Sequence, residues 1–317
     1  MLGPSPSGSP RIIALMNQKG GVGKTTTTVN LAAAFARRGQ RTLLVDLDPQ
    51  AHATLHLGID PGSLDHSVYD LLHEPESQAS AAAVQTRENL WLVPAETDLA
   101  AIENELQHAH DRNDRLRRAL LAMRGRFDII MLDCPPALGL LTLNALAAAN
   151  AVLIPMQAHF LALQGVSKLL ETVTLVRQSL NSELRVAGVV LCMHEMQTTL
   201  AQEVVADLEG FFESARGTDQ PWAQAAVLRP PIRRNIKLAE CPSFGQTIFE
   251  YAPAAAGAID YAQLADAILS PVVPIESKSE SLPEPPEPPE PPVVEVRAWT
   301  EPSATPGHPG QPGHDGR

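Results

Sequence analysis

The chain has 317 residues, 44% hydrophobic and 19% charged, with a formal net charge of −12, room for one large domain or two small ones around a sizeable core. No apolar run approaches the roughly 18 residues a membrane span requires, and the three scattered cysteines (Cys134, Cys192, Cys241) make neither a disulfide framework nor a CxxC pair. The polar, turn-rich start MLGPSPSGSP lacks the charged and apolar regions of a secretion signal, so the expected location is cytoplasmic.

A short β-branched and apolar run, Ile12 to Met16, predicts the first strand. It leads into NQKGGVGKTTTT (17–28), followed by a periodic apolar pattern through Val29, Leu31, Ala32 and Phe35 that predicts a helix ending near Arg37–Gly39. RTLLVDLDPQ (41–50) reads as a second buried strand closing on carboxylates. The segment 51–67, with Gly58, Pro61 and Gly62, reads as irregular, with a short helix at about 67–73 and another on or beside SQASAAAV (77–84). A strand at about 89–93 precedes helical patterns at 97–108 and 111–124.

FDIIMLD (127–133) is a further apolar strand ending on an aspartate. Helix 138–148, strand 151–156, helix 162–180, strand 185–193 and helix 198–215 follow; 222–250 is mixed, and a last helix covers about 253–269. Strands alternating with helices predict an α/β fold, a doubly wound, mainly parallel sheet flanked by helices, whose ligands bind at the carboxyl ends of the strands. The expected organisation is a disordered lead-in over 1–10, one folded domain over 11–270 and a Pro/Glu/Gly-rich disordered tail over 271–317, where PEPPEPPEPP and PGHPGQPGHDGR cannot form a core.

Strand, glycine loop and helix are the setting in which backbone N–H groups and a helix N-terminus cradle phosphates. Gly20, Gly21 and Gly23 let the main chain approach the phosphates, with Val22 between them and Thr26 at the helix start. Lys24 is expected to reach the β- and γ-phosphates of ATP, and the Thr25 hydroxyl to coordinate Mg²⁺. The ordinary pattern needs glycine at position 18; here Gln18 stands there and Lys19 directly precedes the glycines, so this is a variant phosphate loop.

Asp46 and Asp48 close the second strand, where a carboxylate can polarise the attacking water or, for Asp46, hold Mg²⁺ through water; a cap or solvated loop end is the structural alternative. Asp133 closes the 127–133 strand in the manner of a Walker B aspartate and suits Mg²⁺ through a bound water. Pro135 and Pro136 fix the loop that follows. His52 and His56 have helical metal spacing, but in a segment without a clear helix and without a third ligand.

KGGVGKTT, LLVDLDPQ and IIMLDCPPALGLLTLNAL together closely resemble the ParA/Soj branch of the P-loop ATPases with a deviant Walker A motif, the group that includes MinD. The resemblance covers about 11–269, with the motifs in order and at the right spacing. It implies that Lys19 reaches the nucleotide of a partner subunit, so that two subunits sandwich two ATP molecules in a homodimer, and that Asp48 is the aspartate needed for hydrolysis. It also implies slow ATP turnover, binding of non-specific DNA, association with the nucleoid, and a ParB-like partner that stimulates hydrolysis. Cys134 after Asp133 is open to comparison with the iron–sulfur relatives of this superfamily, but those need two cluster cysteines per subunit in glycine-rich settings, which neither Cys192 nor Cys241 has, so buried apolar cysteines are expected.

The place that matches the family's DNA surface is RPPIRRNIKLAECPSFG (229–245), where Arg229, Arg233, Arg234 and Lys237 cluster. Such a cluster suits phosphate contacts, which need charge and no base readout, although a solvated basic face has the same composition. Overall acidity does not exclude it: residues 271–317 hold eight acids and three bases, leaving −7 on residues 1–270. Relatives often carry Pro where Arg233 stands, and tend to carry a DNA-contacting arginine where Gln197 stands, so DNA binding is expected to be weaker or differently arranged. Alternative readings are a ParA-like positioner of non-DNA cargo and a MinD-like membrane-site positioner. The latter needs a basic amphipathic C-terminal helix where this chain has Pro-Glu repeats, so no membrane partner is expected.

Overall fold

The centre of the molecule is made of short strands with apolar residues on both faces, the pattern of a sheet covered by helices on both sides. The computed structural model describes residues 9–79, 81–159, 162–195 and 199–270. The expectations for the 271–317 tail, for most of the 1–10 lead-in and for Gln197 fall outside the described residues.

Strands β1 (Arg11–Leu15), β2 (Thr42–Asp46), β3 (Val84–Arg87), β4 (Leu90–Val93), β5 (Ile129–Asp133), β6 (Ala151–Met156), β7 (Arg185–Leu191) and β8 (Ala226–Leu228) form one sheet in the order β3-β4-β2-β5-β1-β6-β7-β8. Every neighbouring pair is parallel except β3–β4. Helices α1 (Lys24–Ala36), α2 (His52–His56), α3 (Val68–His73), α4 (Pro75–Gln78), α5 (Ile102–Glu105) and α6 (Arg115–Ala122) belong to the first half of the chain. Helices α7 (Leu140–Ala148), α8 (Ala162–Ser179), α9 (Thr199–Ser214), α10 (Lys237–Glu240), α11 (Ile248–Tyr251) and α12 (Ala256–Leu269) belong to the second.

Because successive strand residues point to opposite faces, each strand except the edge strand β3 feeds two cores. Ile13, Leu15, Leu44 and Met131 pack with Phe35 of α1 and with Tyr261 and Leu264 of α12. Ala14, Leu43, Val45, Ile130 and Leu132 pack on the other face with Leu71, Leu116, Leu146, Leu169 and Leu208, from α3, α6, α7, α8 and α9. This is the mainly parallel, doubly wound arrangement the alternating pattern predicts. No helix among the described residues is long and apolar enough to cross a membrane.

The crossovers bring three chain segments to one edge. β1 lies between β5 and β6, so the direction of winding reverses beside it, and ligands of such sheets sit outside that reversal. Leu15 is in register with Asp133, and Asp133 with Asp46. The end of the glycine-loop strand and both strand-end aspartates therefore share one edge.

Three local readings change. Residues 51–67 are not uniformly irregular: α2 and a 3₁₀ turn over Pro61–Ser63 form there. The cause of α2 is non-local, since Thr54 donates both its backbone N–H (2.9 Å) and its hydroxyl (2.8 Å) to Asp46. The edge strand β3 is an addition, pairing back on β4 through Glu88 and Asn89, with Asn89 at φ +56; Asn in such a two-residue loop is the signal for that hairpin. The 97–108 helix divides into a 3₁₀ turn over Thr97–Ala101 and the short α5, and the 111–124 helix is trimmed to α6.

Candidate functional site

The site is built where β1 ends. Gly23 stands before the first turn of α1 with φ +92, a left-handed conformation that glycine adopts without steric cost. No side chain caps this turn and no acidic residue lies in it, so the helix N–H groups and the positive end of the dipole are left for an anion. The body of α1 is buried although it is rich in threonine, because its polar groups find partners: Thr27 pairs with Tyr261 (3.0 Å), and Asn30 donates to Thr26 O (2.8 Å) and accepts from Ile248 N (2.8 Å).

Beside the loop runs an open groove of about 810 Å³. Gly20, Gly21, Gly23, Lys24, Thr25 and Thr26 line it from the loop, Asp48 and Pro136 from the ends of β2 and β5. Val22, by contrast, is buried in the fold, so only its main chain is available to a ligand. Met193, Pro242 and Ser243, which no local pattern marks, also form part of the lining; they come from segments following β7 and β8 and reach the groove only through the winding of the sheet.

Asp133 and Asp46 are fully buried. The Asp133 carboxylate accepts from the Thr25 hydroxyl (Oδ2, 2.7 Å) and from the Thr28 hydroxyl (Oδ1, 2.7 Å). Thr25 thus uses its one proton on Asp133 and keeps oxygen lone pairs toward the groove. Asp46 engages Thr54 and the Asp48 N–H (3.2 Å), bracing the strand end that carries Asp48. Asp48 itself is part-exposed, its carboxylate accepting from Gln50 N (3.0 Å). Burial, with Asp133 next to it, pushes Asp46 up to about 7; burial also pushes Asp133 up to about 6 against the pull of its threonine donors.

Lys24 is almost buried and its ammonium donates to Lys19 O (3.3 Å). Burial lowers its pKa, opposed by the attraction of Asp133 and Asp48. Lys19 is exposed at the rim, its backbone N–H held by Asn17 Oδ1 (3.0 Å) and its ammonium 2.7 Å from His159 Nε2. The flank of the loop is also fastened to the end of β6, through Asn17 to Pro155 O (2.8 Å) and Gln157 to Gly21 O (3.2 Å).

The donor set suits a hard divalent cation: a hydroxyl oxygen at the loop and a carboxylate directly behind it. Mg²⁺ fits at Thr25, with Asp133 as the group behind it.

The predicted basic cluster lies on the segment after β8, and each base has an acidic partner. Arg229 pairs with Glu209 (2.8 Å), Arg233 with the buried Asp260 (2.6 Å), Arg234 with Glu195 (2.8 Å) and Lys237 with Glu240 (2.8 Å). His52 and His56 do sit on a helix, α2, but His56 is buried against Cys241 Sγ (3.6 Å), where burial drives its pKa down to about 4.

A parallel sheet with a lysine-bearing glycine loop leading into an uncapped helix, and a buried aspartate behind the loop threonine, defines a P-loop nucleoside triphosphatase. The model of a family described as AAA domain matches residues 10–186. The sporulation initiation inhibitor protein Soj of Bacillus subtilis is 44% identical over 255 residues, 80% of this chain and 96% of that protein. The chromosome partitioning protein ParA of Myxococcus xanthus is 44% identical over 242 residues, covering 76% and 81%. Among solved structures, one described as cobyrinic acid a,c-diamide synthase from Mycobacterium smegmatis with bound ADP and magnesium superimposes with TM-score 0.69 at 39% identity, covering 82% of this chain and 94% of that one. The chain belongs to the ParA/Soj family of P-loop ATPases.

Proposed function

We propose that this ATPase works as a partition switch: it dimerises on binding ATP, binds non-specific DNA as the dimer, and is reset when a ParB-like partner stimulates hydrolysis. Chromosome partitioning is the activity named for its ParA relative from Myxococcus xanthus, which supports chromosome or plasmid DNA as cargo and a place on the nucleoid. The observation that carries the reading is the pairing of two lysines with different surroundings on one loop. Lys24 is nearly buried at the groove, while Lys19 is exposed at its rim. Lys24, the glycine-loop N–H groups and the first turn of α1 hold the nucleotide of their own subunit. Lys19 is free of that groove and reaches the nucleotide of a second subunit, so a cation supplied across an interface makes dimerisation depend on ATP.

Thr25 would hold Mg²⁺ with Asp133 behind it; the ion neutralises charge on the phosphates. Asp48, part-exposed in the groove, orients the attacking water. Asp46 acts on Asp48 through the backbone bond between them. The DNA-facing surface in this reading is Arg229, Arg233, Arg234 and Lys237; Glu209 and Glu195, the exposed partners of Arg229 and Arg234, would be exchanged for phosphates.

The test uses light scattering and ATP turnover on the full chain. Lys24→Ala is expected to abolish ATP binding. Lys19→Ala is expected to bind ATP and remain monomeric, and Asp48→Ala to form a long-lived ATP dimer. A Lys19→Ala protein that dimerises with ATP like the wild type would remove the sandwich from the proposal.

A further inference from the structure

Two elements from distant parts of the chain pack against each other in the lining of the groove beside the phosphate loop. α2 supplies His52, Leu55 and His56, and the turn Cys241–Phe244 supplies Pro242 and Ser243. Neither belongs to the sheet, so the strands alone do not set their separation.

One side chain joins them. Arg87, on the edge strand β3, donates through Nη1 to Leu57 O (2.8 Å) and through Nη2 to Gly245 O (2.7 Å). Leu57 directly follows α2, and Gly245 directly follows the turn. The Nε edge of the same guanidinium donates to both carboxylate oxygens of Glu250 on α11 (3.0 and 3.1 Å). Glu250 is itself fixed, accepting from the Thr247 N–H (2.8 Å) and hydroxyl (2.9 Å). A planar fork with fixed donor directions can span two carbonyls and a carboxylate at once, which an ammonium cannot.

Packing on the same seam leaves little room for adjustment. Gly245 has φ +63, and a Cβ placed on it would lie 2.7 Å from Gly58 Cα. His56 Nε2 meets Cys241 Sγ at 3.6 Å across the seam. Arg87 is not part of the groove lining, so any effect it has on a ligand passes through the residues it holds.

We infer that Arg87 is a positioning residue for the nucleotide: by tying Leu57 to Gly245 it holds α2 and the 241–244 turn together as one wall of the groove beyond the phosphate loop. This rests on the nucleotide reading above. The loop takes the phosphates, so the wall made by α2 and the 241–244 turn flanks the nucleoside.

The experiment measures ATP KM and kcat, the Kd of a fluorescent ATP analogue, and Tm, on full-length wild type, Arg87→Lys and Gly245→Ala. Gly245→Ala pushes on the same seam without altering Arg87. Both variants are expected to raise KM and Kd by about tenfold with kcat within about twofold, the pattern of lost uniform binding. Loss of folded protein alone would lower kcat and leave KM in place. Unchanged KM and Kd in both variants, with a lower Tm, would overturn the inference and leave Arg87 as a brace of the fold. If wild type fails to bind ATP, the nucleotide reading itself falls; if wild type binds, Lys24→Ala does not, and the two seam variants bind like wild type, only the role of Arg87 falls.

Discussion

Asp46 and Asp133 stand in register at the ends of neighbouring strands, both fully buried, and their carboxylates serve different parts of the site. Asp133 engages the phosphate loop through Thr25 and Thr28, while Asp46 holds Thr54 and the Asp48 backbone. Position in the strand made the two look alike. Their hydrogen-bond partners separate a nucleotide-side carboxylate from a scaffold carboxylate.

That crowding has a pH signature. Burial and the neighbouring Asp133 raise Asp46 to about 7, so the folded protein holds a proton that the unfolded chain releases near pH 4. The native state therefore binds more protons between about pH 4 and 7, and this contribution to stability is present in acid and lost as pH rises through 7. Buried His56, lowered to about 4, has the opposite sign: its contribution is present above about 6.5 and lost as pH falls toward 4. Comparing Tm of wild type with Asp46→Asn removes the histidine term. The wild-type advantage is expected to be largest near pH 5 and to shrink toward pH 8; a difference constant across that range would show that Asp46 does not titrate there.

The two threonines on Asp133 are predicted to separate. Thr28→Val removes a buried hydroxyl shared between Asp133 and Lys24 O, which should cost about 1 kcal/mol of stability and leave ATP affinity within a few-fold. Thr25→Val removes the oxygen proposed for Mg²⁺ as well as the bond to Asp133. Titrating Mg²⁺ against ATP binding should show the metal dependence lost in Thr25→Val and kept in Thr28→Val.

Gly23→Ala tests the backbone of the loop. At φ +92 a side chain is strained by roughly 1–2 kcal/mol, and the new Cβ would lie 3.3 Å from Cys192 Cβ. Chemical denaturation should show a loss of that order, with ATP affinity falling further because the strain sits at the anion-binding end of α1. Wild-type ATP affinity in this variant would mean that the loop's left-handed turn is not needed for binding.

What could be read from the sequence was what local pattern determines. The apolar runs closing on Asp46 and Asp133 and the glycines before α1 are short-range signals, and the alternation of strands and helices fixed the mainly parallel sheet. What escaped depends on partners outside the local pattern, most of them far along the chain. α2 forms where glycine and proline promised irregular chain because Thr54 is pinned by Asp46. Met193, Pro242 and Ser243 enter the groove from segments more than 160 residues beyond the phosphate loop. The basic cluster was visible as charge, but Glu209, Glu195 and Asp260, which balance it, lie on other segments. Only Glu240, three residues from Lys237, was open to a local reading.

Those partners divide the basic cluster into two kinds of residue. Arg233 is built into the fold: its backbone N–H (3.0 Å), Nε (3.1 Å) and Nη2 (2.6 Å) all donate to Asp260, which is 3% exposed on α12. The neighbouring Tyr261 meets Thr27 in the buried part of α1. Arg233→Ala strands a buried carboxylate, so it should lower Tm and weaken ATP binding along with any DNA binding. Arg229 and Arg234 form exposed pairs with Glu209 and Glu195, the kind that contributes little to stability and that phosphates can replace. Arg229→Ala and Arg234→Ala should leave Tm nearly unchanged. If they contact DNA, each should reduce the slope of log affinity against log salt by about 1, uniformly across duplex sequences. ATP-dependent DNA binding with an unaltered salt slope in both variants would move the DNA surface away from this segment, whatever Arg233→Ala does.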